Sequence, residues 1–329
     1  MQQIIDKIKK ANSIVITSHK SPDGDSIGSS LGLYQFIQNL NKQVTICHPD
    51  KAPDFLLWLD DVEDIHTLEE DPETVKMLIE KADLIFSLDY NDLSRVGEEM
   101  QALLAQATAS FIMIDHHLYP SDYATLTLSD TAVCSTSQLV YDVITNSTES
   151  QLMDVKTATP LYLGIMTDTG SFRFPSVQPR THEILAEMLR MGVQHYKIHE
   201  NTFDQNSINR LRLRGYATSE KLELLHNGKI AIISLTEEEL NRFNHQKGDT
   251  EGLVNIALSI EGVKAAAFFA EKDAKIKISF RGKGDYEVNQ LANDHFSGGG
   301  HKYAAGGISE LSMNDTISKF KALLSNYFE

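Results

Sequence analysis

Four short stretches in the first third of the chain, SIVITSH (13–19), QVTICH (43–48), DLIFSLD (83–89) and SFIMIDHH (110–117), are apolar nearly throughout instead of alternating. Runs of that length predict strands covered on both faces, as in a parallel sheet sandwiched between helices. Elsewhere the spacing lengthens to a helical period: after PDGD through Leu40, over 135–144 and over 156–166. This pattern predicts an α/β domain with a parallel sheet over residues 1–194. A helical connector is expected over 195–225, where apolar positions mix with Arg210, Arg212 and Arg214 in a pattern that suits a solvated face. Beyond it GKIAIISL (228–235), AAAFFAE (265–271) and KIKISFR (275–281) predict strands, while TEEELNRF, GLVNIALSI and VNQLANDHF predict helices. The expectation for residues 226–329 is therefore a smaller α/β domain with a mixed sheet.

Composition fits two soluble domains within 329 residues. No window approaches the roughly 18 continuous apolar residues of a membrane span. MQQIIDKIKKAN carries charges where a secretory signal would be apolar, so a cytoplasmic protein with no membrane partner is expected. The two cysteines, Cys47 and Cys134, form no CxxC, which suits a reducing compartment and argues against a zinc–thiolate site. Charge sharpens the picture. Residues 205–329 carry equal numbers of basic and acidic side chains, so the whole net charge of −16 lies in the first 204 residues. Such a surface is unsuited to gripping long duplex nucleic acid by its phosphates. An acidic domain that handles phosphate needs positive charge that its side chains do not supply, and bound metal would provide it.

In a parallel sheet, ligands gather outside the carboxyl ends of the strands. His19 with Asp23 and Asp25, then Asp89, then Asp115-His116-His117, each follow a separate predicted strand, so all should converge on one rim. Asp168, in LYLGIMTDTGSFRF, ends an apolar helix and would pass for a turn residue if it stood alone. Clustered carboxylates repel, and divalent cations remove that penalty. Oxygen donors with a few imidazoles and no thiolate favour manganese, with magnesium, cobalt or iron as substitutes, over structural zinc. Several other residues suit substrate. Ser135 and Thr136 open a helix, where a simple cap and a phosphate contact are equally compatible. Arg173, five residues beyond Asp168, suits a phosphate better than an exposed ion pair. The run Gly298-Gly299-Gly300-His301 is permissive backbone that could be a mere turn or an anion-binding nest.

Taken together, these residues resemble the DHH family of phosphoesterases. HKSPDGDS, LDYND around Asp89, IDHH and TDTGSFRF follow the family's four motifs in order, and FSGGGHKYAAGG (296–307) is similar to the signature of the DHH-associated domain. The resemblance implies two metal ions. One would be held by His19, Asp23 and Asp89, the other by Asp25, Asp89, His116 and Asp168, with Asp89 bridging. It further implies that Asp115 orients His116, that His117 contacts the scissile phosphate or protonates the leaving oxygen, and that His301 and Arg281 grip a terminal phosphate. Ser297, where the family often has a fourth glycine, and Gly282, where serine is common, depart from the pattern and bear on nucleotide preference.

Within the family the chain resembles the NrnA-type enzymes, which degrade oligoribonucleotides of a few residues and dephosphorylate 3′-phosphoadenosine 5′-phosphate (pAp). A manganese-dependent phosphoesterase acting on short oligoribonucleotides, pAp or dinucleotides is the expectation. The rival within the same chemistry is hydrolysis of a cyclic or linear dinucleotide (c-di-AMP, pApA). The rival of another class is a nucleotide-binding regulatory protein without turnover. Cleavage polarity, base preference and oligomeric state, a homodimer included, are left open.

Overall fold

The apolar runs fold as strands β1 (Ile14–Ser18), β2 (Val44–His48), β3 (His66–Thr67), β4 (Leu84–Leu88), β5 (Ser110–Asp115) and β6 (Leu126–Ser129) in the computed structural model, which describes residues 1–246 and 248–328. They form one sheet in the order β3-β2-β1-β4-β5-β6, every neighbouring pair parallel. All residues of β1 and β4 are buried, and the alternating side chains serve two different cores. Ile14, Ile16, Phe86 and Ile112 pack on one face, while Val15, Ile85 and Phe111 pack on the other. Strand order reverses between β1 and β4, so a crevice is expected beyond their carboxyl ends.

The helices of this unit are α1 (Gln2–Lys10), α2 (Gly24–Asn39), α3 (Pro72–Lys81), α4 (Glu98–Gln106), α5 (Thr136–Thr145), α6 (Val155–Asp168), α7 (Pro179–Met191) and α8 (His195–Phe203). Val75, Ile79, Met100 and Leu104 of α3 and α4 cover one face of the sheet; α1, α2, α5 and α6 cover the other. Helix α2 is buried from Gly24 to Ile37, and its GDSIGSSLG sequence explains how it comes so close to α6. A Cβ on Gly28 would lie 2.4 Å from the Pro160 carbonyl oxygen, and one on Gly32 would lie 2.4 Å from the Leu161 side chain. The helices thus meet nearly backbone to backbone, which brings Asp25, at the start of α2, to Asp168, at the end of α6.

The chain divides into two compact units, Met1–Gln205 and Asn206–Glu329. The connector stretch 195–225 contributes α8 to the first and α9 (Ile208–Ser219) to the second. The second unit continues with β7 (Leu222–Leu225), β8 (Ile230–Leu235), α10 (Glu237–Arg242), α11 (Leu253–Leu258), β9 (Ala265–Lys272), β10 (Lys275–Gly282), α12 (Asn289–His295), β11 (Gly299–His301), β12 (Ala304–Ser309) and α13 (Met313–Tyr327). Its sheet runs β11-β12-β10-β9-β8-β7, antiparallel except for the β8–β9 pair. The glycine-rich segment, for which no strand was predicted, forms an edge hairpin, β11 to β12, closed by Lys302 and Tyr303. Periodicity missed it because glycine gives no alternation of polar and apolar side chains. No helix among the described residues is long and apolar enough to cross a membrane.

Candidate metal centre

Chain reversals at the carboxyl ends of β1, β4 and β5 deliver the first set of side chains. His19 follows β1 and donates Nδ1–H to the Lys20 carbonyl (2.9 Å), which turns Nε2 toward the carboxylates. That atom lies 3.4 Å from Asp89 Oδ2 and 3.8 Å from Asp23 Oδ1. Asp23 is also the N-cap of α2, accepting the Asp25 and Ser26 amides, both at 3.0 Å. Asp89 follows β4 with φ +63°, a left-handed backbone that is costly for a residue with a Cβ. The turn aims its carboxylate between two imidazoles: Oδ1 is 3.5 Å from His116 Nε2 on the side opposite His19. Thr136 Oγ1 holds the same oxygen at 3.0 Å.

A second group forms around His116, whose Nε2 also lies 3.6 Å from Asp168 Oδ2 and 4.0 Å from Asp25 Oδ2. Asp25 is fully buried, and its two oxygens accept the Thr136 and Ser137 amides at 2.6 and 2.8 Å. An acid on α2 thus caps the N-terminus of α5, where the helix dipole favours negative charge.

The electrostatics show what this cluster lacks. Burial, reinforced by the charge of Asp89, pushes the Asp25 carboxyl well above the usual carboxylate range; burial and then Asp25 do the same to Asp168. Burial opposes ionisation of Asp89 as well, but His19, His116 and His117 outweigh it and hold that carboxyl below its ordinary value. For His19, Asp23 and Asp89 overcome burial and raise the imidazole well above its ordinary value. The ligand atoms of His19, Asp23 and Asp89, and those of Asp25, His116 and Asp168, each lie within 4.8 Å of one another. Carboxylate oxygens and imidazole nitrogens converging in this way, with the Asp25 and Asp168 carboxyls driven toward protonation, are a donor set short of positive charge and suited to hard divalent cations. Cysteine adds nothing: burial pushes the Cys47 thiol up to about 12 and the Cys134 thiol up to about 11.

One expectation needs correction. The ring that Asp115 orients is that of His117: Oδ1 takes Nδ1–H at 2.7 Å and Oδ2 takes the His117 amide at 2.8 Å. Asp115 is fully buried at the end of β5, and the chain folds the ring two residues on back over it, while Nε2 of His116 faces Asp25, Asp89 and Asp168. Ser135 and Thr136 are both fully buried, with their hydroxyls engaged within the fold. Ser135 caps Gln138 at 3.1 Å, and Thr136 holds Asp89.

Arg173 is exposed on the loop after Asp168, its Nε donating to the Gly170 carbonyl at 2.7 Å. Arg95 escaped the sequence reading. It sits on a short turn after Asp89, its carbonyl accepts the Lys20 amide at 2.9 Å, and its charge acts on His117. Its one legible signal was a pair of cations, Lys20 and Arg95, near candidate ligands in an acidic domain.

In the second unit, Arg281 pairs in register with Ala304, and Ala304 with His301. Cross-strand partners share a face, so Arg281 and His301 flank the small Ala304 on one side of the sheet. Burial lowers the guanidinium below its ordinary value, and no carboxylate pairs with it among the described residues. Gly298 lies where a Cβ would come within 2.0 Å of the Gly306 carbonyl. Beside Gly299 and Gly300 is a cleft lined by Glu287, Asn289, Gln290 and Asn293.

Residues 13–165 match the DHH family, N-terminal domain, and residues 227–329 match the DHHA1 domain. The bifunctional oligoribonuclease and PAP phosphatase NrnA of Thermus thermophilus is 31% identical over 89% of this chain and 83% of its own length. The cyclic-di-AMP phosphodiesterase GdpP of Bacillus subtilis is 26% identical over 98% of this chain, which spans only 49% of that protein. The crystal structure of an exopolyphosphatase-related protein from Bacteroides fragilis superposes with a TM-score of 0.95, at 40% identity over 99% of this chain and 95% of that one.

Proposed function

We propose that this chain, which belongs to the DHH family and acts on phosphoester bonds, hydrolyses short oligoribonucleotides to mononucleotides and removes the 3′-phosphate of pAp. The observation that carries this reading is the pair of ligand groups that meet at Asp89, in a chain whose NrnA relative aligns along most of both lengths. His19, Asp23 and Asp89 would hold one divalent cation, and Asp25, His116 and Asp168 a second, with Asp89 shared and manganese preferred. When bound, such a pair lowers the pKa of water and neutralises the charge on phosphoryl oxygens.

The chain's own residues supply the rest. Thr136 and the backbone turn at Asp89 fix the shared carboxylate, while Asp25, tied to two helix amides, has little freedom to swing. For His117, burial works downward, but the hydrogen bond to Asp115 and the charges of Asp89 and Asp115 outweigh it and raise the imidazole pKa. With Nδ1–H fixed on Asp115, His117 is set to carry a proton at Nε2 and deliver it to the leaving oxygen. Arg173, Arg95 and Lys20 offer cations to the departing or non-bridging oxygens. In the second unit, Arg281 and His301 beside the small Ala304 suit a terminal phosphate. A cytoplasmic location fits these substrates.

Incubating the purified protein and manganese with di- to pentaribonucleotides, pAp, pApA and c-di-AMP tests the proposal. Mononucleotides from the short RNAs and AMP from pAp are expected. Turnover restricted to c-di-AMP or pApA would move the assignment to the dinucleotide branch, and tight binding of the panel without any turnover would make the chain a nucleotide sensor.

A further inference from the structure

Beyond the motif residues, we infer that His199, on α8, is a positioning residue for the metal centre: through Ser171 it holds the strained turn that fixes Asp168 and Arg173. The inference rests on the reading of Asp168 as a metal ligand. Three consecutive residues after α6, Gly170, Ser171 and Phe172, have φ of +57°, +62° and +66°. Only the first is a glycine, so the other two occupy a backbone region that their side chains disfavour. Such a run persists only where its surroundings impose it.

Part of the restraint is local. The Ser171 amide donates to the Met166 carbonyl (2.8 Å), the Arg173 amide to the Thr169 carbonyl (2.9 Å) and the Phe172 amide to Thr169 Oγ1 (3.0 Å). The rest comes from α8, about thirty residues further along. His199 Nδ1 lies 2.9 Å from the His195 carbonyl, which can only accept, so Nδ1 carries the hydrogen. The neutral ring then presents Nε2 as an acceptor to the Ser171 hydroxyl at 3.0 Å. The same imidazole packs on the Phe172 ring at 6.2 Å, with Tyr162 at 5.8 Å and His182 at 6.2 Å from that ring. One histidine thus grips both disfavoured residues, one by hydrogen bond and one by packing. The turn they make returns Arg173 to donate Nε–H to the Gly170 carbonyl, so the carboxylate before the turn and the guanidinium after it are held by one device.

Thermal melts, manganese titration calorimetry and turnover of pAp by the full-length protein test this with His199→Ala, His199→Gln, Ser171→Ala, Ser171→Gly and their combinations. His199→Ala and Ser171→Ala should each weaken manganese binding and lower kcat about tenfold, as loosening of a reacting geometry does, with KM changed less. The two losses should not add, since both remove one link. His199→Gln, whose carbonyl can accept the hydroxyl, should recover part of the loss. In the Ser171→Gly background, where the left-handed turn needs no enforcement, His199→Ala should cause little further loss. Calorimetry with manganese alone keeps the test independent of substrate identity. Wild-type manganese affinity and kcat in His199→Ala would overturn the inference. So would losses that multiply in the double variant, or losses that track the melting temperature alone.

Discussion

Replacing Asp25 with asparagine separates what this residue does for the fold from what it does for charge. Its carboxylate is buried, takes the Thr136 and Ser137 amides at 2.6 and 2.8 Å, and stands among Asp89, His116 and Asp168. Asparagine would turn one acceptor into a donor that faces a helix amide, orphaning two buried donors at about 1–3 kcal/mol each. It would also remove the anion from the N-terminus of α5, worth about 0.3–1 kcal/mol and more when buried. Against this, losing one charge relieves repulsion within the cluster. Asp168→Asn is the control: it removes a charge from the same ligand group but from the end of α6, where among the described residues no hydrogen bond engages its carboxylate. The difference between the variants therefore isolates the capping role, about 2–7 kcal/mol. For a unit of 205 residues that corresponds to about 4–28 °C. Differential scanning calorimetry in chelator should show Asp25→Asn melting below Asp168→Asn by that margin, with manganese stabilising neither as it does the wild type. Equal melting temperatures in chelator would refute the reasoning, because the amide contacts would then contribute nothing.

Other outcomes follow from the same geometry. His48 is fully buried with Nε2 3.0 Å from Ser30 Oγ, and burial, assisted by the charge of His19, holds it down at about 3. The unfolded chain gains this proton near the ordinary value while the folded chain does not, so the stability due to His48 is lost as pH falls below about 6.5. Between pH 7 and 5 the loss is about 2 kcal/mol, and urea unfolding at both pH values should show His48→Gln losing that much less. Gly28→Ala places a Cβ 2.4 Å from one backbone atom and 3.0 Å from another. It should destabilise by about 1–3 kcal/mol in thermal melts and lower kcat further by parting Asp25 from Asp168. The charge of Arg95 lowers His117, so Arg95→Gln should move the basic limb of the kcat–pH profile upward and raise KM for pAp about threefold, the worth of one exposed charge contact.

The centre was legible because it is written in short segments at strand ends. A run such as DLIFSLD announces both a buried strand and the acid that ends it, and the rim rule then gathers those acids without further knowledge. Side-chain direction was less accessible. That Asp115 turns to His117, and that Ser135 and Thr136 point inward, depends on the path of one or two residues past a helix or strand end, which no periodicity encodes. The β11–β12 hairpin was invisible for a related reason: Gly299, Gly300 and Gly306 carry no side chain to alternate. His199 lies far from Ser171 in sequence, on a helix with no motif of its own, and only the fold brings them together.

Anomalous diffraction at the manganese edge from crystals soaked in Mn2+ tests the central claim most directly. Two peaks about 4 Å apart are predicted, one against His19 and Asp23 and the other against Asp25, His116 and Asp168, with the Asp89 carboxylate touching both. A single peak away from Asp89, or no peak at this rim with Asp89 turned from His19 and His116, would contradict it.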